Sequence, residues 1–195
     1  IMHIGGKRIL PKPNKEPVGT PDIVPEGLSQ LEYYHLAKSY GGLRPKQCLQ
    51  CIKLVETMDP TRPVAAKATR LRDIFLPKTM PPDEAVALNL KAFNEFSQPD
   101  QCRKDATECV RRFPDWEYGY ITLGALEKDL NNQDAAVKNF RKALEINPHN
   151  VTALSRLGDA LRWSNEKEAK EVLQKAVELD PEDTFDAHII KLLSH

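Results

Sequence analysis

The sequence predicts an all-α solenoid of antiparallel helix pairs, preceded by an extended proline-rich arm. Three observations predict it. From Leu28 onward, nearly every segment carries apolar residues at a helical period. Prolines recur at Pro114, Pro148 and Pro181, with spacings of 34 and 33 residues. Two consecutive segments of that length repeat the same small and large side chains at the same offsets. Self-similarity at a fixed period of this size marks stacked supersecondary units.

Residues 1–27 carry Pro11, Pro13, Pro17, Pro21 and Pro25 and no helical period. Proline fixes φ and removes an amide donor, so this segment reads as an extended arm or linker. If the arm lies back along the helices, Ile4, Ile9 and Leu10 are its apolar anchors.

Residues 28–60 form a first repeat. Tyr33, Leu36, Ala37 and Tyr40 share one helix face, and Cys48, Ile52 and Val55 share the next, ending at Pro60. Residues 61–82 leave an unpaired helix from Pro63 to Leu76, then Pro77, Pro81 and Pro82. An odd helix breaks strict alternation, so a bend is expected near residues 76–82. Residues 83–116 form a degenerate repeat. Val86, Leu90 and Phe93 are expected to face inward from its first helix, and Cys102, Ala106 and Cys109 from its second. Asn89 stands there where an apolar residue is expected.

Residues 117–150 are the clearest unit, with Tyr120, Leu123 and Gly124, then Ala136, Phe140 and Ala143, then Asn147-Pro148. Residues 151–183 repeat it with Leu154, Leu157, Gly158 and Leu161, then Ala169, Leu173 and Ala176, then Asp180-Pro181. Positions three, four and seven apart lie on one helix face. The small residues let paired helices approach, and the large ones fill the space between pairs. Asn147 and Asp180 are expected to cap the following helices with proline at the first turn. Asn165 and Glu168 form a capping pair. Residues 184–195 read as a closing helix whose Phe185, Ile189, Ile190, Leu192 and Leu193 cover the last apolar face. That set is apolar enough to offer a further partner contact.

The pattern Leu157-Gly158-x-x-Leu161, Ala169-x-x-x-Leu173-x-x-Ala176, Pro181 resembles the tetratricopeptide repeat. Residues Tyr120 to Pro148 are similar, with Glu127 in place of the usual bulky side chain. The resemblance implies a right-handed superhelix whose first helices line a concave groove holding an extended peptide or a partner's helix. Carried over by position, that groove is lined by Tyr34 and Lys38; by Tyr118, Ile121, Ala125 and Lys128; and by Thr152, Ser155, Asp159 and Arg162. The bland alternative for any one of them is a solvated surface residue. Chaperone-binding members hold a C-terminal carboxylate with Lys, Asn and Arg on this face. Here the matching pairs are Tyr34/Lys38, Ile121/Ala125 and Ser155/Asp159. No Lys/Asn pair recurs, and Asp159 is expected to repel a carboxylate, so chaperone C-termini are not the expected ligand.

The chain has 28 basic and 28 acidic residues, and a net charge of zero argues against nucleic acid as partner. The charge is uneven: Lys67 to Lys78 holds four basic residues and one acidic, Glu166 to Asp186 eight acidic and three basic. No stretch approaches the 18 consecutive apolar residues of a membrane span. Gly5, Gly6, Lys7 and Arg8 interrupt any signal-peptide core, and a chain beginning at Ile1 reads as cut from something longer.

Cys48, Cys51, Cys102 and Cys109 are expected to be reduced, buried thiols in a cytoplasmic protein. Cys48-Leu49-Gln50-Cys51 is a CxxC, but the second pair has the wrong spacing for a four-thiolate zinc site, so no metal and no cofactor are expected. The scattered histidines have no ligand partners, and no nucleophile elbow, phosphate loop or dinucleotide fingerprint is present. The expected protein is a non-catalytic scaffold or adaptor for a peptide or protein. Two alternatives stand beside it: a regulatory or targeting segment of a larger enzyme, and a thiol-based metal or redox module.

Overall fold

The computed structural model describes residues 23–182. The closing helix expected over 184–195, and the arm apart from residues 23–27, lie outside the described residues. Every regular element among the described residues is helical.

The chain enters helix α1 (Gln30–Tyr40) through Ser29. Its hydroxyl accepts from the Glu32 amide at 3.3 Å, and its own amide donates to the Glu32 carboxylate at 2.8 Å. This reciprocal cap satisfies two amides that the first turn leaves orphaned. A 3₁₀ turn (Gly41–Leu43) leads to α2 (Pro45–Met58), and α3 follows (Pro63–Phe75). Both α2 and α3 begin on proline, where no donor is required. Tyr33, Ala37, Tyr40, Cys48, Ile52 and Val55 are buried together with Ala68, Leu71 and Ile74. The helix expected to stand unpaired is therefore paired: α3 packs across both α1 and α2 and also touches α8. Its buried residues are Ala65, Ala68, Leu71, Ile74 and Phe75, and Arg72 forks onto the Glu56 carboxylate at 2.5 and 3.3 Å. Three helices thus share one core.

After Pro77, Pro81 and Pro82 come six helices in strict alternation: α4 (Asp83–Asn94), α5 (Pro99–Arg112), α6 (Glu117–Asp129), α7 (Gln133–Ile146), α8 (Val151–Leu161) and α9 (Glu166–Leu179). Each first helix packs on its own second helix and on the next first helix. The small-residue positions explain the spacing. A Cβ added at Gly124 meets the Phe140 ring at 2.6 Å, and one at Gly158 meets Leu173 Cγ at 2.4 Å. Both repeats thus close the same gap with the same device. Glu127, the departure from the bulky consensus, accepts from Arg103 at 2.9 and 3.2 Å and from Asn132 at 2.7 Å. An ionic tie to α5 replaces an apolar contact.

Two expectations need correction. On α4 the fully buried residues are Ala85, Asn89 and Ala92, while Val86, Leu90 and Phe93 are half-buried. The helix is rotated by one residue because the small alanines, not the large side chains, let it approach α5; the Cys109 thiol reaches the Ala85 carbonyl at 3.8 Å. Asn147 does not cap α8. Asn150 does, accepting from the Ala153 amide at 3.0 Å, and the chain between them closes with the Asn150 amide on the Asn147 carbonyl at 3.1 Å. Pro148 therefore lies in the turn, outside the helix. The expected Asn165–Glu168 pair does form, at 3.2 Å from the Glu168 amide and 2.9 Å between side chains.

The three-helix unit does not simply continue the stack. It lies against the far end of the array. Val151, Leu154 and Ala176 share its core cluster, and its 3₁₀ turn meets α4 and Tyr118.

Candidate protein-binding groove

In the array the first helices α4, α6 and α8 are neighbours, so the face they share is the candidate groove. Its middle helix, α6, is buried on nearly every side. Tyr118 is 2% exposed, Ala125 4% and Ile121 5%, so these three present almost no surface to a ligand. Tyr118 points into the joint with the N-terminal unit, where its hydroxyl accepts from the buried Gly42 amide at 3.1 Å. Burial pushes the Tyr118 phenol up to about 12, against a hydrogen bond with Thr152.

Tyr34 and Lys38, one turn apart on α1, face the last turn of the array. The Tyr34 hydroxyl donates to the Glu182 carboxylate at 2.8 Å, and Lys38 reaches Asp180 at 2.9 Å. Lys67 on α3 adds a second cation on Glu182 at 2.6 Å. Hydrogen bonds from Lys67 and then Tyr34 hold the Glu182 carboxyl down at about 2. Burial, then the hydrogen bond to Glu182, pushes the Tyr34 phenol above its usual range. These positions therefore engage residues of their own chain.

Lys128, Asp159 and Arg162 remain together at the other end of the groove. Lys128 pairs with Asp159, and Arg162 reaches the same carboxylate at 3.2 Å. Thr152 and Ser155 lie on the same helix, half-buried. The Arg162 guanidinium also stacks over Trp163 at 4.9 Å, and Trp163 is 73% exposed. Two cations on one carboxylate offset the repulsion expected of Asp159. Position-by-position carry-over missed Arg156, which lies beside this cluster. Loss of solvent lowers its pKa, opposed by the charges of Asp129 and Asp159. It also missed Lys67, Asp180 and Glu182, because their partners are distant in sequence. The charge asymmetry between residues 67–78 and 166–186 was the available signal.

The thiols do not assemble into a common site. Cys48 and Cys51 lie in the core of the N-terminal unit, Cys109 lies under α4, and Cys102 is on α5. Desolvation pushes Cys48 and Cys109 up to about 12 and Cys51 and Cys102 to about 11, which disfavours the reactive thiolate. Among the described residues, no three His, Cys, Asp or Glu side chains are grouped to hold a metal ion. Residues Asn150-Val151-Thr152 spell a glycosylation triplet, but Asn150 is fully buried and its side-chain amide donates to Glu117 at 3.2 Å. Two shallow surface depressions, against α5 and α2, lie away from the groove.

A helical array with paired small residues and a first-helix groove defines a class, and sequence comparison gives it a name. Tetratricopeptide repeat models match residues 124–161 and 153–183. The chain carries tetratricopeptide repeats over residues 124–183. It is 38% identical over 66 residues to the heat shock protein STI1 of Saccharomyces cerevisiae, a match spanning 34% of this chain and 11% of that protein. Among solved structures, the fold resembles the first tetratricopeptide domain of Spaghetti (RPAP3), bound to the HSP90 peptide SRMEEVD. That match has a TM-score of 0.55 and 21% identity, and covers 57% of this chain and 91% of the other. It also resembles the TPR2AB domain of yeast Sti1 in its HSP90 complex, with a TM-score of 0.51, 20% identity, and coverage of 85% and 70%.

Proposed function

We propose that this chain is a non-catalytic scaffold that holds a peptide or partner protein in the groove of its first helices. Tetratricopeptide repeats are in general interaction modules without catalytic activity. The observation that carries the reading is the ion cluster of Lys128, Asp159 and Arg162, with side chains 21%, 11% and 9% exposed, beside Trp163, which is 73% exposed. An exposed aromatic next to an arginine is the composition of binding hot spots. Among the described residues, no helix is long and apolar enough to cross a membrane.

The HSP90 peptides held by the similar domains are not the ligand we propose here. The positions matching a carboxylate clamp hold Tyr34 and Lys38, tied to Glu182 and Asp180, then the buried Ile121 and Ala125. None offers the free Lys/Asn pair that such a clamp uses. A fluorescent SRMEEVD peptide titrated into the full chain tests this directly. No saturable binding is expected. Micromolar binding lost in R162E would reinstate the chaperone reading. For the groove itself, proximity cross-linking with the wild type and with K128E/R162E is the test. A partner captured by the wild type and lost in the double variant is the expected result. Equal capture by both moves the site off this face.

A further inference from the structure

We propose that the α1–α3 unit is a dockable lid on the groove, latched by charge to the last turn of the array and able to undock without unfolding. Its consequence for ligand access rests on the groove reading above; the docking equilibrium does not.

The joint differs in kind from the cores on either side of it. Within the N-terminal unit, Ala37, Cys48, Ile52, Val55 and Ala68 are wholly buried. Within the last repeats, Phe140, Leu173 and Ala169 are wholly buried. Between the two units, charged contacts flank an apolar seam. Lys38 meets Asp180 at 2.9 Å and Glu182 at 3.7 Å, Lys67 meets Glu182 at 2.6 Å, and Tyr34 donates to Glu182 at 2.8 Å. The Gly42 amide donates to Tyr118 at 3.1 Å, and the Asn147 amide to the Leu76 carbonyl at 3.4 Å. The apolar seam is Val151, Leu154 and Ala176, buried in the N-terminal core cluster, with Leu144, Val172 and Leu179 packed against it. A joint of this composition resembles an inter-domain contact, where relative motion is the default. Opening such a joint is a sub-global event with a lower free energy than melting either core.

Docking uses the residues that the repeat register assigns to ligand contact. Tyr34, Lys38 and Tyr118 are all engaged by the chain itself. A partner segment that displaces the lid must therefore bring a cation to Asp180 and Glu182 and an apolar side chain to Val151 and Leu154. The linker carries Pro77, Pro81 and Pro82, which stiffen it and keep the undocked unit close to the array.

The Gly42 amide is the reporter, because its hydrogen bond crosses the joint. Hydrogen exchange is measured on the full chain for the wild type, K38E/K67E, D180K/E182K and the four-residue combination. Each double variant sets like charges across the joint. Exchange at Gly42 is expected to rise about tenfold or more, with amides of Ile52 and Phe140 unchanged. The combined variant restores opposite charges and is expected to return Gly42 to slow exchange. Unchanged exchange at Gly42 in both double variants would overturn the latch. Equal acceleration at Ile52 and Phe140 would show one cooperative core in place of a lid. Fast exchange retained in the combined variant would show that charge is not what holds it. None of these outcomes bears on K128E/R162E capture, so failure of the lid and failure of the groove are distinguishable.

Discussion

In α6–α9 each first helix offers a glycine to a large residue of its second helix: Gly124 to Phe140, Gly158 to Leu173. In α1–α2 the same register sets Ala37 against Ile52, and both are wholly buried. The two regions build their helix pairs alike. They differ in what the first helix does with its other face. On α8 that face leaves Ser155 and Asp159 half-buried beside the exposed Trp163. On α1 it closes onto Asp180 and Glu182, almost the full length of the described chain away. One side-chain register can therefore serve a ligand surface in one unit and an intramolecular contact in another. Which one results depends on where the neighbouring unit lies, and here an odd third helix and three prolines redirect it.

Removing a large residue from a helix pair is the strongest way to break the likeness. Phe140→Ala empties a wholly buried site and is expected to cost about 3–5 kcal/mol in chemical denaturation. Repeat arrays respond through nearest neighbours, so the loss is expected in α6–α9 with α1–α3 still structured. Exchange protection at Ile52 lost in the same variant would show that the two regions fold as one. Gly158→Ala approaches the same interface from the other side. The added carbon falls 2.4 Å from Leu173 Cγ, so an overpacking cost of about 1–3 kcal/mol is expected. Gly124→Ala should cost a similar amount, because its neighbour at 2.6 Å is a ring that cannot fold away.

At the joint, effects are smaller and more local. Asn147 donates to the buried Glu117 carboxylate at 2.9 Å as well as to Leu76. Asn147→Ala leaves that carboxylate short of a donor and is expected to cost about 1–3 kcal/mol. Tyr118→Phe removes the acceptor of the Gly42 amide together with the hydroxyl's bonds to Thr152 and Asn150, for about 1 kcal/mol each. It is expected to speed Gly42 exchange more than it shifts the fluorescence unfolding midpoint of the array. A large shift of that midpoint would show that the hydroxyl's bonds to Thr152 and Asn150 within the array outweigh the one to Gly42.

The helix pairs were legible in the sequence because they obey local periods. Gly124, Gly158, Ala136, Phe140, Ala169 and Leu173 sit at offsets that a linear reading resolves. The joint obeys no period. Tyr34 and Glu182 lie 148 positions apart, and nothing near either residue encodes the other. The groove positions carried over for α6 failed to remain open for a related reason. Tyr118, Ile121 and Ala125 are set by register, but their burial is set by α1–α3 and by the adjacent first helices. Asn147 misled because an Asn-Pro step looks like a cap, while the cap three residues later, Asn150, precedes the helix without a proline to mark it. Alanine spacing on α4 carried the true buried face, and the larger Val86, Leu90 and Phe93 drew attention from it.

Acid gives the mildest test of the comparison, since it acts on the joint's charge and leaves the apolar pairs alone. The folded Glu182 carboxyl sits near 2, below its ordinary value of 4.5. A depressed carboxyl contributes stability above its unfolded pKa and loses it as pH falls toward its folded one. The docked state therefore weakens between about pH 4.5 and 2. Other carboxylates, Asp105 among them, lose stabilisation in the same window, so the Glu182 part must be isolated. E182Q carries no titrating group at that position. Gly42 exchange, corrected for its intrinsic pH dependence, is expected to accelerate on acidification in the wild type and less steeply in E182Q. Identical slopes in the two proteins would mean that the Glu182 charge, though well placed, does not hold the N-terminal unit down.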